Sequence, residues 1–290
     1  MGGSTPVDIN IRIKVWLETV PVLLQKLEIK HVNIMTHSAG AIYTLNTLLH
    51  HSSILNPKTP FVAFLAPYVP LTISGATLPT LLSRLPVGML DSWADLNTFI
   101  NNKIMPTTSW SSGLLSFAAS VFPSSASTDL PGTEVSPSMT QTERYGVDKE
   151  TAKAIDSLLM KYRFAEDTHG INDEAKLCLG KCDNADWGEA QDYAACIRSI
   201  AQKERTLQQQ DTRRAKLKVE AVFSGSDVMI GKRGQEYFEQ SWQHDEFREC
   251  LDFSTKTYSK ANHDSLVIDY EKGALRNVFK SIAGLERGRN

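Results

Sequence analysis

Ser38, Asp227 and His263 have the side-chain types and the chain order of a nucleophile, a carboxylate and a general base. A serine hydroxyl is a poor nucleophile until a base accepts its proton. Histidine titrates near neutrality, so it can take that proton and return it. A carboxylate behind the imidazole fixes its tautomer and stabilises the imidazolium. Together the three could attack a carbonyl and hold an acyl group.

Each of the three must be carried by an element that aims it. The run His31-Val32-Asn33-Ile34-Met35-Thr36-His37-Ser38-Ala39-Gly40-Ala41-Ile42 reads as strand, tight turn, helix. Val32, Ile34 and Met35 make a short apolar strand. Residues 41–49 carry a helical stripe at Ile42, Leu45, Leu48 and Leu49. A serine at the apex of such a turn is a nucleophile elbow. Its neighbours must be small, and Ala39, Gly40 and Ala41 are. Thr36 departs from the Gly-x-Ser-x-Gly pattern by standing where the first glycine would be. The positive end of the helix, with the Ala39 N–H, faces the place where an oxyanion would form. The plainer alternative is an ordinary strand–helix turn with an exposed serine.

The other two residues also follow strands. Residues 218–223 are strand-like and end in Ser224-Gly225-Ser226-Asp227. Residues 250–258 alternate as a strand does and lead into Ser259-Lys260-Ala261-Asn262-His263-Asp264. A C-terminal helix is expected over 265–283. Taken alone, Asp227 is equally a turn former. Asn262 and Asp264 are better capping residues than His263. The order Ser, acid, His, each after a strand, favours a triad.

The remaining candidates rank lower. His37 beside the serine is read as structural. His50 and His51 end the elbow helix, where cations are favoured. His31, His169 and His244 lack partners at metal-ligand spacing, and Asp91, Asp156, Asp167 and Asp183 rank below Asp227.

On these residues the chain resembles the α/β-hydrolase superfamily, in its serine-hydrolase form with a lid. The resemblance covers roughly residues 1–70 and 215–290. It implies a mostly parallel sheet flanked by helices, with an inserted helical lid. It also implies Ser38, Asp227 and His263 as the triad and Ala39 as an oxyanion donor. A serine nucleophile disfavours the branches that use an aspartate, the epoxide hydrolases and haloalkane dehalogenases.

The resemblance also implies that the fold is N-terminally incomplete. Met1-Gly2-Gly3-Ser4-Thr5-Pro6 looks like the end of a loop that follows the family's fourth strand. Residues 11–27 look like the helix before the elbow, with an apolar stripe at Ile13, Trp16, Leu17, Val20, Leu23 and Leu24. The first four strands and the second oxyanion donor would then lie upstream of Met1. An open sheet edge would result. An internal start or a shortened natural relative would each account for this.

Composition bounds the rest. The 290 residues are 41% hydrophobic with a formal charge of −2, enough for one capped domain and poor for a nucleic-acid partner. No apolar run is long enough to span a bilayer. No leader is visible after Met1, so a cytoplasmic location is expected. Cys178, Cys182, Cys196 and Cys250 are expected by default as free thiols, with a disulfide between two of the first three left open, and Cys178-x-x-x-Cys182 has no second pair to make a zinc site. No cofactor and no metal are expected.

Residues 71–215 are read as the lid insertion, between a first core part (1–70) and a second (216–290). Residues 61–66 form the strand before it. Helices are expected over 77–85, 92–103, 149–163 and 185–210, with a Ser/Thr/Pro-rich loop at 123–142. The apolar, uncharged stretch 111–122 reads as a packed lid helix or as contact with acyl chains or a lipid surface. Residues 203–218 read as a solvated, charged helix returning to the core. The expected reaction is hydrolysis of a small apolar ester or similar acyl compound. The alternative is a catalytically impaired hydrolase or a non-catalytic binding protein.

Overall fold

The computed structural model describes residues 5–90, 169–182, 185–269 and 273–287, with isolated helical positions between 148 and 162. The expected segments 92–103, 111–122 and 123–142 lie outside the described residues, as do Asp91, Asp156, Asp167 and Asp183.

In chain order the elements are α1 (Arg12–Lys26), β1 (Ile34–His37), α2 (Gly40–His51), β2 (Phe61–Leu65), α3 (Leu71–Ser74), α4 (Thr77–Leu82) and α5 (Val87–Leu90). Then come α6 (His169–Cys178), α7 (Tyr193–Gln210), β3 (Leu217–Ser224), α8 (Gly231–Trp242), β4 (Leu251–Tyr258), α9 (Ser265–Ile268) and α10 (Leu275–Arg287). The four strands lie in the order β1-β2-β3-β4, and every pairing is parallel.

Parallel sheets are covered on both faces, and their inner strands read as continuous apolar runs. β2, Phe-Val-Ala-Phe-Leu, is buried at all five positions. Its alternation sends Val62 and Phe64 to one face and Phe61, Ala63 and Leu65 to the other. The first face packs with Val219, Ala221 and Phe223 against Ile42, Leu45 and Leu48 of α2, Ile197 and Ile200 of α7, and Phe238 and Trp242 of α8. The second face packs with Val222 against Leu266 of α9 and Val278 of α10. A mostly parallel sheet flanked by helices, as expected, is therefore what these residues form.

Two expectations are corrected in detail. The C-terminal helix is two helices, α9 and α10, and not one over 265–283. Gly273 lies between them, and a Cβ there would strike the Leu266 and Ser265 carbonyls. Residues 203–218 are not a solvated helix. The helix ends at Gln210 and β3 begins at Leu217. Within this stretch Glu204 and Arg214 are buried and paired in a fork, with Arg214 Nε and Nη2 each 2.8 Å from a Glu204 carboxylate oxygen. Tyr193, Cys196, Ile197, Ile200 and Ala201 of α7 pack in the same cluster as the sheet residues.

The segment leading into α7 is pinned by one buried amide. Asn46 of α2 donates to the Trp187 carbonyl (2.8 Å) and accepts from the Glu189 N–H (2.9 Å). On α1 only Ile13 is buried, and Trp16, Val22, Leu23 and Leu27 stay exposed. Trp16 nonetheless donates its indole N–H to Thr47 Oγ1 (2.9 Å).

Candidate active site

β1 ends at His37 and α2 begins at Gly40, so the chain has two residues in which to turn from strand to helix. Ser38 makes the turn with φ of +52°. A non-glycine residue in that left-handed region is strained by roughly 1–2 kcal/mol, so its surroundings must hold it there. Three hydrogen bonds do so. The Ser38 N–H donates to the Leu65 carbonyl, and the Ser38 carbonyl accepts from the N–H groups of Ala41 and Tyr68, each at 3.0 Å. Leu65 and Tyr68 flank the end of β2, so the neighbouring strand clamps the elbow.

The departure at Thr36 now has a physical meaning. A Cβ on Gly40 would overlap Thr36 Oγ1. The turn brings residues 36 and 40 together. It accepts a threonine at one only because the other is glycine.

Asp227 follows β3 and His263 follows β4. Their loops are zipped together by backbone bonds. Gly225 N–H donates to the Tyr258 carbonyl (2.9 Å), and Ser226 donates its N–H (3.4 Å) and its hydroxyl (3.2 Å) to the Ala261 carbonyl. Gly225 is needed for this approach, since a Cβ there would lie 2.7 Å from Ser259 Cα. The expected cap after β4 falls to Asn262, whose Oδ1 accepts the Ser265 N–H (2.8 Å). Asp264 makes no side-chain cap bond to the helix.

The zip brings His263 and Asp227, both buried, into contact. His263 Nδ1 lies 3.0 and 3.2 Å from the two Asp227 oxygens. Asp227 Oδ1 also accepts the N–H groups of Met229 and Ile230, both at 2.9 Å. Burial alone would raise the carboxyl pKa. The His263 charge and hydrogen bond, with the two backbone donors, bring it below its usual 3.8. For His263 burial alone would lower the pKa, and the Asp227 carboxylate reverses this, leaving it above 6.5. A carboxylate only accepts, so His263 Nδ1 carries the proton and Nε2 presents its lone pair.

His37 ties the elbow to the loop that carries His263. Its Nε2 lies 3.0 Å from the His263 carbonyl oxygen, to which it must donate, and the two rings stand 4.7 Å apart. Burial, then the neighbouring His263 charge, push the His37 imidazole down to about 4. It is therefore neutral near pH 7. The signal available in the sequence was its place next to Ser38.

Two contacts that an acyl transfer would need are open. Neither Ser38 Oγ nor His263 Nε2 makes a hydrogen bond among the described residues. The Ala39 N–H, at the entrance to α2, also has no partner among the described residues, which leaves it available as an oxyanion donor. No described helix is long and apolar enough to cross a membrane, and the four cysteines form no disulfide with one another.

No protein-family model and no curated protein sequence matches the chain. Solved structures of similar shape include an epoxide hydrolase from Vigna radiata (14% identity, TM-score 0.47, covering 98% of this chain and 79% of that one). A haloalkane dehalogenase from Bradyrhizobium elkani is similar at 11% identity and TM-score 0.46, covering 99% and 79%. A serine hydrolase from Cycloclasticus zankles is similar at 11% identity and TM-score 0.41, covering 99% and 75%. At these scores and identities the likenesses transfer neither a reaction nor residue roles. What the described residues themselves have in common with an α/β-hydrolase core is an all-parallel sheet with a serine elbow after β1, an aspartate loop after β3 and a histidine loop after β4, in the order Ser, Asp, His.

Proposed function

We propose that this chain is a serine hydrolase acting on a carboxylic ester or similar acyl compound through an acyl-enzyme. One observation carries the reading. A serine held at φ +52° between a strand and a helix lies at the same end of the sheet as a buried His–Asp pair. Strain at a half-buried turn residue has no value for packing. Its use is to lift a side chain clear of the backbone.

In this reading Ser38 Oγ attacks the substrate carbonyl while His263 Nε2 takes its proton. Asp227 holds His263 by Nδ1–H and balances the imidazolium charge. The Ala39 N–H, supported by the α2 dipole, donates to the oxyanion. His263 then gives the proton to the leaving alcohol. Water, activated by the same nitrogen, releases the acid. No step calls for a cofactor. Division into a core of 1–70 and 216–290 with a lid between, and a small apolar substrate under that lid, belong to the same proposal. So does contact of 111–122 with a lipid surface. A cytoplasmic, reducing setting, where cysteines stay unbridged, belongs to the same proposal.

A second reading has its own support. Among the described residues Ser38 Oγ and His263 Nε2 share no hydrogen bond, and the Ala39 N–H is the one oxyanion donor assigned. Those features suit a catalytically impaired protein that binds acyl compounds. Losing one oxyanion donor costs roughly 10²–10³ in rate. The test is intact-mass labelling of the purified chain with a fluorophosphonate, beside Ser38→Ala. A single adduct that disappears in Ser38→Ala supports the hydrolase. Folded protein that takes no adduct supports the impaired form.

A further inference from the structure

His37, His263 and Asp264 bring a ring nitrogen from each histidine and a carboxylate oxygen within 4.8 Å of one another. The two histidines are also prepared as ligands. A metal-bound histidine usually gives its other ring N–H to a carboxylate or a backbone carbonyl, which fixes its tautomer. His263 gives Nδ1–H to Asp227, and His37 gives Nε2–H to the His263 carbonyl. Each ring therefore keeps a lone pair on its remaining nitrogen. The Asp264 carboxylate acts electrostatically on both rings. His37 and Asp264 are half-buried, so the cluster opens to one side.

We propose that a divalent transition-metal ion of the Zn²⁺ type binds across His37, His263 and Asp264. Two imidazoles and one carboxylate suit Zn²⁺, with a water at the fourth tetrahedral position. Bonds of about 2.0–2.1 Å put such ligand atoms roughly 3.3 Å apart, so the side chains must close by about 1.5 Å. Movement of Asp264, with a small shift of His37, toward the buried His263 is required for this. Mg²⁺, which takes oxygen ligands in an octahedron, fits poorly. One consequence rests on the proposed triad. A metal on His263 Nε2 removes the lone pair that would take the Ser38 proton, so the ion would switch off the serine.

The experiment is calorimetric titration of the purified chain with Zn²⁺ and, separately, Mg²⁺. The expected result is one Zn²⁺ per chain, no Mg²⁺ heat, and affinity weakened tenfold or more by His37→Ala and by Asp264→Asn. Asp264→Asn alters a half-buried loop residue and keeps its size, so it reports even where His37→Ala fails to fold. Absence of stoichiometric Zn²⁺ binding, or affinity unchanged in both variants, overturns the proposal. Fluorophosphonate labelling with and without Zn²⁺ separates the two readings. Labelling suppressed by Zn²⁺ and restored by EDTA supports both. Variant-sensitive Zn²⁺ binding to a chain that never labels supports the metal site and removes the hydrolase. Labelling that persists in a Zn²⁺-saturated chain overturns the switch.

Discussion

Gly40→Ala should change sign with the residue at position 36. On an ordinary helix first turn, alanine for glycine stabilises by up to about 1 kcal/mol, because glycine has more backbone freedom to lose. Gly40 has no positive φ to oppose that gain. It does face Thr36, whose Oγ1 occupies the place of the new Cβ. Threonine is short and branched at Cβ, and only one of its three staggered rotamers turns a hydrogen toward residue 40. Overpacking of this kind costs typically 1–3 kcal/mol. The clash outweighs the helix gain, so Gly40→Ala should destabilise by about 1–2 kcal/mol. In a Thr36→Ala background the obstructing oxygen is gone, and the same substitution should be neutral or stabilising. The cycle therefore predicts a coupling of about 1–3 kcal/mol, against the roughly 0.5 kcal/mol within which independent sites add. Urea unfolding of the four proteins measures it. With slopes of about 1–3 kcal/mol/M, a 2 kcal/mol coupling shifts the midpoint by roughly 0.7–2 M. Equal midpoint shifts in the two backgrounds would refute the claim that residues 36 and 40 share one space. A rise in midpoint with Thr36 in place would refute it equally.

The buried fork between Glu204 and Arg214 predicts a larger loss. Their side chains are 0% and 5% exposed, so Glu204→Gln strands a guanidinium and should cost about 3–5 kcal/mol by urea unfolding. Replacing both by Leu and Met should recover most of it, and a single variant within about 1 kcal/mol of the parent would contradict the pairing. The His263–Asp227 pair predicts a titration. The imidazole should titrate above 6.5 by NMR in the parent, and lower than in the parent in Asp227→Asn, where burial is opposed by the Asp264 charge alone. The linkage has two sides. The raised His263 pKa gives stability that is full below 6.5 and lost as pH rises through the folded value. The depressed Asp227 pKa gives stability present above 3.8 and lost as pH falls through its folded value. An imidazole unmoved by Asp227→Asn would break the assignment.

Why the elbow could be read from sequence and the Glu204–Arg214 fork could not is a matter of range. Ser38 is placed by a strand, a turn and a helix that are consecutive in the chain, and each leaves a local trace. Those traces are the apolar run before the turn, the small residues in it and the 3.6-residue stripe after it. Asp227 and His263 are likewise loop residues that follow strands, so the topology of a parallel sheet brings them to one end whatever the details. Glu204 and Arg214 carry no such trace. Both lie in a charged stretch, and charge alone reads as solvated surface. Only the docking of α7 on the sheet, with Ser52 at the far end of α2 lending its carbonyl to Arg214, makes that stretch an interior. The break between α9 and α10 was hidden for a related reason. Gly273 in a helical pattern is an ambiguous signal until the carbonyls around it are known. His37 lies between these cases. Its identity was plain, but its partner is a backbone carbonyl 226 residues away. A side chain that acts through a main-chain group cannot be paired from residue types at all. The same holds for Gly225, which is fixed by the approach of Ser259. The residues that sequence reasoning locates are thus the proposed triad, and the ones it misses are those that hold the triad in place.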